Sequence, residues 1–154
     1  CDLNTRDIDL LETRIGVRQK QDAACHAITA VPGIGRLTAT ALVATMGDAK
    51  AFRSGREFAA FLGLVPRQSG TGGKVRLGPM SKRGDPYLRT LLIHGARSVL
   101  YNAKVPTPWQ KDIQARRPAN VAAVALASKI ARTAWAILAR GQEYQRNYVS
   151  MRPA

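Results

Sequence analysis

The stretch from Pro66 to Arg89 cannot continue the helical patterning that flanks it, because it runs through Gly70, Gly72, Gly73, Gly78 and Gly84 with Pro79 and Pro86. A connection this long inside a domain is usually functional or disordered. Its charges favour function. Arg67, Lys74, Arg76, Lys82, Arg83 and Arg89 face a single acid, Asp85, a balance that suits a phosphate-bearing partner. Ser69, Thr71 and Ser81 add hydroxyls that can act as ligands or nucleophiles. The expected fold is therefore mainly α, a helical domain around a long basic glycine-rich loop, with a small β-hairpin around Lys74 to Leu77.

The whole chain shares the loop's bias. Among 154 residues, 24 Lys and Arg against 10 Asp and Glu give a formal net charge of +14, which predicts attraction to polyanions and to nucleic acid first. Hydrophobic residues at 45% are ordinary globular usage and exclude disorder. No basic amphipathic helix with bulky apolar anchors stands apart from the expected core, and no run reads as a membrane span, so no membrane partner is expected. Cys1 and Cys25 fit neither a metal spacing nor a disulfide framework, which points to a reducing compartment, with Cys25 read as a small buried hydrophobe. The chain opens on Cys1 without a signal-peptide pattern. It is expected to be a fragment, with activity-bearing residues upstream.

Residues 1–22 read as an N-terminal helix, the end of a linker from that upstream domain: Asp7, Asp9 and Glu12 precede Arg14, Arg18 and Lys20, and Ile8, Leu11 and Ile15 share a face. Residues 23–141 form the main domain. In it a helix stops at Val31-Pro32-Gly33-Ile34-Gly35-Arg36, and a second follows with Leu37, Ala41 and Leu42 inward. This helix-hairpin-helix-like element would offer the amides of Gly33 and Gly35, with Arg36 beside them, to a DNA phosphate at a helix N-terminus. The competing reading is a corner that only turns the chain. Ser54 to Glu57 is a capping box for a short helix with Phe58, Phe61 and Leu62 as core and Gly63 as its stop. Asp85 caps the next helix, whose apolar stripe is Leu88, Leu91, Leu92, Ala96, Val99 and Leu100; His94 reads as a surface or boundary residue. Thr107-Pro108 opens a helix broken at Arg117-Pro118. Asn120 is expected to cap the last one, with Val121, Val124, Ala125, Ala131, Trp135 and Leu138 available for packing and Gly141 at its end. Trp109 and Trp135 read as packing anchors. Residues 142–154 are a basic tail, read as frayed from Tyr144 onward.

Other chemistries fit poorly. Gly70 to Lys74 lacks the Walker spacing and is followed by Val75 rather than Ser or Thr. The two histidines, His26 and His94, have no partner carboxylates at ligand spacing, and the acids do not cluster, so no metal set and no cofactor are assigned to this chain. What remains is a hydroxyl attacking a DNA phosphodiester among cations, for which Ser69 beside Arg67, Lys74 and Arg76 qualifies. The residues alone leave open whether such a loop does chemistry or only binds phosphates.

Val31-Pro-Gly-Ile-Gly, the run from Phe58 to Arg67, Gly72-Gly-Lys, Met80-Ser-Lys-Arg-Gly-Asp-Pro-Tyr-Leu-Arg89 and His94-Gly-Ala-Arg97 occur in an order that resembles the C-terminal transposase domain of a bacterial insertion-sequence family. That family joins an N-terminal RuvC-like domain carrying an acidic DEDD set to a C-terminal domain with a catalytic serine, and some members are guided by a bridge RNA. The resemblance covers about Ala24 to Arg140. It implies cutting and rejoining of DNA through a covalent protein–DNA intermediate, with Mg²⁺ held in the RuvC-like domain, a site composed between subunits of a homo-oligomer, and a bacterial, cytoplasmic, nucleoid-associated location. The family's serine precedes a glycine. Ser69-Gly70 reproduces that pair, whereas counting back from Val75-Arg76 reaches Thr71, so Ser69 is the first choice for the nucleophile and Thr71 the second. Ser81 reads as a phosphate or turn hydroxyl. The alternative is a non-catalytic helix-hairpin-helix module that binds DNA through phosphates.

Overall fold

In the last long helix apolar positions recur on one broad stripe, and most of the other helices pack against it. The computed structural model describes residues 2–71, 74–80 and 85–146. Its elements, in order, are α1 (Asp2–Thr29), α2 (Arg36–Met46), a 3-10 turn (Ala49–Ala51), α3 (Gly55–Phe61), β1 (Pro66–Thr71), β2 (Lys74–Met80), α4 (Pro86–Asn102), α5 (Pro108–Arg116) and α6 (Ala119–Arg140). Along α6, Ala123, Ala127, Ile130, Ala131, Ala134 and Trp135 are buried, and so many alanines let neighbouring helices come close. α4, α3, α1 and α5 all pack on it. The core between them centres on Ile28, Leu42, Phe58, Leu62, Leu88 and Leu92, all fully buried.

Caps fix where the helices begin. The Asp85 carboxylate accepts the Tyr87 amide at 2.9 Å, with Pro86 as the first residue of α4. The Ser54 hydroxyl accepts the Glu57 amide at 3.2 Å, but the Glu57 carboxylate accepts from Arg53 rather than from the capping residue itself. A complete capping box opens α5: the Thr107 hydroxyl accepts the Gln110 amide at 3.3 Å while the Gln110 side chain accepts the Thr107 amide at 3.0 Å. Thr107→Ala is expected to lower stability by about 0.5–2 kcal/mol. Thermal denaturation checks it, with Thr107→Ser expected to restore the midpoint.

Several inward faces differ from the pattern read in the sequence. α2 buries Thr38, Ala39, Leu42 and Met46, and Leu37 is 60% exposed, because the hairpin before it rotates the helix so that Leu37 lines a surface groove. Phe61 is 52% exposed and leans on Phe52, with ring centroids 5.4 Å apart, while Phe58 and Leu62 enter the core as expected. α6 starts at Ala119 with Pro118 as its capping residue, so Asn120 is not the cap; its side chain instead accepts from Arg97 at 3.2 Å. That shift leaves Val121 half-exposed and turns Ala122 and Ala123 inward. α6 is also, at 22 residues, long and apolar enough to cross a membrane, contrary to the expectation that no run was; half of its most apolar window is buried against the other helices. Cys25 is half-buried at the core's edge. Tyr144, expected in a frayed tail, packs against the core, where burial raises its pKa against the opposing effect of Arg146.

The basic stretch is not one open loop. β1 and β2 pair antiparallel, with Gln68 opposite Leu77, Ser69 opposite Arg76, Gly70 opposite Val75 and Thr71 opposite Lys74, and with an irregularity between Pro66 and Gln68. The hairpin thus extends beyond the Lys74 to Leu77 segment expected of it. α1 is continuous through residue 22, and Ile8, Leu11 and Ile15 on it are each more than half exposed.

Candidate nucleic-acid interface

The turn between α1 and α2 is held by two backbone bonds, Val31 N–H to the Ile28 carbonyl and Ile34 N–H to the Val31 carbonyl, each 3.1 Å. Gly33 sits at φ +96, a conformation that L side chains rarely adopt. The carbonyl of Gly33 lies directly over Gly95 in the middle of α4: a Cβ on Gly95 would stand 2.0 Å from that oxygen. A Cβ on Gly33 would in turn meet Ile130 at 2.8 Å. The hairpin is therefore seated on α4 and α6 through two missing side chains. Sequence reasoning missed Gly95; its signal was an isolated glycine inside an otherwise helical run.

Seated this way, the hairpin presents the start of α2. Gly35 is its capping residue, in extended backbone, and makes no side-chain cap, so the first-turn amides are left for solvent or a ligand. Gly35 and Arg36 are exposed. Beside them opens a groove of about 660 Å³ whose far wall is α4, with His94, Ser98 and Asn102 one turn apart and Thr38 at its base. Thr38 is 7% exposed. The positive end of the α2 dipole and its free amides suit an anion. His94 is exposed on the groove wall, in keeping with a surface or boundary role.

The other expected site residues fall in or next to the β-hairpin. The backbone register sets Ser69 against Arg76 and Thr71 against Lys74, so each candidate hydroxyl has a basic residue as its ladder partner. Arg67 lies at the irregular start of β1. Arg89 is half-buried in the first turn of α4, its amide donating to the Asp85 carbonyl at 3.1 Å. Ser81, Lys82 and Arg83 lie outside the described residues.

Positive charge also gathers away from both elements. Gly55, at the start of α3, packs so closely on α6 that a Cβ there would stand 3.0 Å from the Arg132 carbonyl oxygen. Arg56 is thereby brought near Arg132. Burial, and then the neighbouring Arg56, lowers the Arg132 pKa; burial, and then Arg132, lowers that of Lys129. Lys129 holds its ammonium 4.4 Å from the Trp109 ring centroid, which covers that face of the ring. Asp112 and Arg116, one turn apart on α5, form an exposed salt bridge at 2.7 Å. No three His, Cys, Asp or Glu side chains among the described residues gather to hold a metal ion.

Comparison with known proteins places the chain among insertion-sequence transposases. The profile of the family described as Transposase IS116/IS110/IS902 matches residues 25–112, from the end of α1 into α5. A probable family 20 transposase of Pseudomonas aeruginosa is 53% identical over 139 residues, covering 88% of this chain and 41% of that protein. The transposase for insertion sequence element IS1111A of Coxiella burnetii is 45% identical over 130 residues, with 82% and 36% covered. The transposase for insertion sequence element IS1328 of Yersinia enterocolitica is 38% identical over 143 residues, with 90% and 43% covered. The chain thus spans about two fifths of the length of these relatives.

Proposed function

This chain belongs to the Transposase IS116/IS110/IS902 family, and from that membership we propose that it is the DNA-contacting, serine-bearing part of an insertion-sequence transposase. The observation that carries the reading is the ladder pairing of Ser69 with Arg76 in a basic β-hairpin, in a chain that also offers the uncapped N-terminus of α2 to phosphate. In the proposed step the Ser69 oxygen bonds to a DNA phosphorus while the bond from phosphorus to the leaving deoxyribose oxygen breaks, and the serine proton ends on that oxygen. The phosphoester count is conserved, so attack by another strand's hydroxyl reverses the step and rejoins DNA. Arg67, Lys74 and Arg76 would offset the charge that builds on the phosphoryl oxygens. Gly33, Gly35, Arg36, Ser81, Lys82, Arg83 and Arg89 would hold the backbone of the duplex by its phosphates.

The described residues assemble no carboxylate set fit for Mg²⁺, so no step is assigned to a metal here. A RuvC-like domain elsewhere in the longer protein would hold it. We propose further that the protein works as a homo-oligomer in the bacterial cytoplasm at the nucleoid, and that a guide RNA, where used, binds the same basic surface. The 154-residue chain by itself is expected to bind DNA but not to recombine it.

The test joins this chain to the N-terminal part of the longer protein, supplies element-end DNA, any flanking RNA and Mg²⁺, and looks for a protein–DNA adduct on a denaturing gel. Wild type is expected to form it, Ser69→Ala to abolish it, and Thr71→Ala and Ser81→Ala to keep it. Loss with Thr71→Ala alone would move the nucleophile to Thr71. Salt-sensitive binding without any adduct would favour the second reading, a phosphate-binding helix-hairpin-helix module, which the uncapped α2 terminus by itself supports.

A further inference from the structure

At the opposite end of α4 from Asp85, the meeting of α4, α5 and the start of α6 leaves a hollow of about 170 Å³ lined by Leu100, Tyr101, Gln114, Arg117, Ala119 and Ala122. That is below the roughly 300–1,000 Å³ of pockets that enclose drug-sized molecules, so it takes one flat group rather than a whole ligand. Its walls are fixed. Gln114 Nε2 donates to the Leu100 carbonyl at 3.3 Å and ties α5 to α4, and the Arg97 guanidinium donates to Asn120 Oδ1 at 3.2 Å and ties α4 to α6.

Three groups at this hollow remain available among the described residues: the Tyr101 ring, the Gln114 Oε1 and the Arg117 guanidinium. Tyr101 is 71% exposed, more than any other exposed large hydrophobic residue described, and its ring enters none of the ring contacts found among the described residues. Gln114 spends one amide N–H on Leu100, and its Oε1 accepts from none of the described residues. The Arg117 backbone amide donates to the Ile113 carbonyl, but its guanidinium has neither an acid nor an acceptor among them. An aromatic face, an amide acceptor and a planar donor fork over an aliphatic floor match the chemistry of a base, with its π-face and its hydrogen-bonding edge.

We propose that this hollow takes a single unpaired nucleobase, stacked on Tyr101 with its edge toward Gln114 and Arg117. The inference rests on the nucleic-acid-binding reading above and adds to it a contact that duplex DNA, with its bases stacked inside, cannot make. Either a DNA or an RNA strand can supply the base.

The experiment titrates the 154-residue chain into a single-stranded DNA carrying 2-aminopurine, the RNA of the same sequence, and the duplex, at one salt concentration. Tyr101→Ala is expected to weaken single-strand binding about 5- to 100-fold, to leave duplex binding within about twofold, and to abolish the quenching of 2-aminopurine that accompanies stacking. Tyr101→Phe, which keeps the ring, is expected to rescue both readouts. A larger loss with DNA than with RNA assigns the base to DNA, and the reverse assigns it to RNA. Single-strand binding unchanged in Tyr101→Ala, an equal loss on the duplex, or a failure of Tyr101→Phe to rescue would overturn the pocket and leave the transposase reading standing. No binding of any nucleic acid by wild type would overturn both.

Discussion

Replacing Trp135 by alanine is expected to lower the stability of the chain by about 3–5 kcal/mol. Urea denaturation followed by circular dichroism reads it. Single domains hold roughly 5–15 kcal/mol in all, so the variant should be close to unfolding. The size follows from where the indole sits. Trp135 is 6% exposed in the C-terminal third of α6, and its Nε1 donates to the carbonyl of Ala49, 86 residues earlier in the chain, at 2.8 Å. It therefore fills the core and pins the 3-10 turn that leads from α2 to α3. The Arg140 guanidinium carbon lies over the indole ring, 5.5 Å from its centroid. Phe at this position separates the two roles. Trp135→Phe keeps most of the apolar bulk but loses the donor, and the Ala49 carbonyl still accepts the Phe52 amide at 3.3 Å, so the loss attributable to the hydrogen bond is expected to be about 0.5–1.5 kcal/mol. A Phe variant as unstable as the Ala variant would mean that the hydrogen bond, not the packing, dominates.

Gly95→Ala is the second large effect, and its sign is the diagnostic part. In an ordinary helix interior, alanine in place of glycine stabilises by roughly 0.5–1 kcal/mol. Here the new Cβ would stand 2.0 Å from the Gly33 carbonyl oxygen, which is backbone and cannot rotate away. The turn between α1 and α2 must lift off α4 or α4 must shift, and such overpacking is expected to cost about 1–3 kcal/mol. Thermal denaturation checks the stability, and DNA titration checks the turn, since lifting it would also displace the uncapped start of α2. A Gly95→Ala chain more stable than wild type would show that the turn does not rest on α4.

The main outline of the fold was legible because it depended on local chemistry. Proline and the caps at Asp85, Ser54 and Thr107 announce helix starts whose bonds are made within three residues, and Gly33 and Gly141 mark ends that only a glycine's backbone makes cheaply. Helix rotation was not legible in the same way. Leu37 and Phe61 are apolar at helical spacing with their neighbours, yet which side of α2 or α3 turns inward depends on how the preceding turn docks, a long-range fact settled by Gly33 against Gly95 and by Gly55 against Arg132. The α6 stripe was displaced for a related reason. Alanines carry little side-chain signal, so Ala122, Ala123 and Ala134 are buried without looking like core. As for the candidate site, the basic residues and hydroxyls could be chosen from composition alone, but their mutual placement could not, since the register that sets Ser69 against Arg76 comes from strand pairing that the glycine-rich sequence specifies only weakly. Tyr101 gave no warning at all, being one aromatic among the apolar positions of α4.

Among the described residues α1 joins the core near its C-terminal end, at Cys25 and Ile28, and its 28 residues form one uninterrupted helix. At 1.5 Å per residue that is a rod of about 42 Å, and a rod transmits direction as well as distance. Anything attached at its far end is carried at a fixed bearing to the groove beside α2 rather than on a flexible tether. Each residue added or removed in the exposed part would turn that bearing by about 100° while altering the reach by only about 1.5 Å, and a change of seven residues would nearly restore the angle while altering the reach by about 10 Å. Helix phase, more than helix length, therefore governs which side of this lobe an attached domain can face.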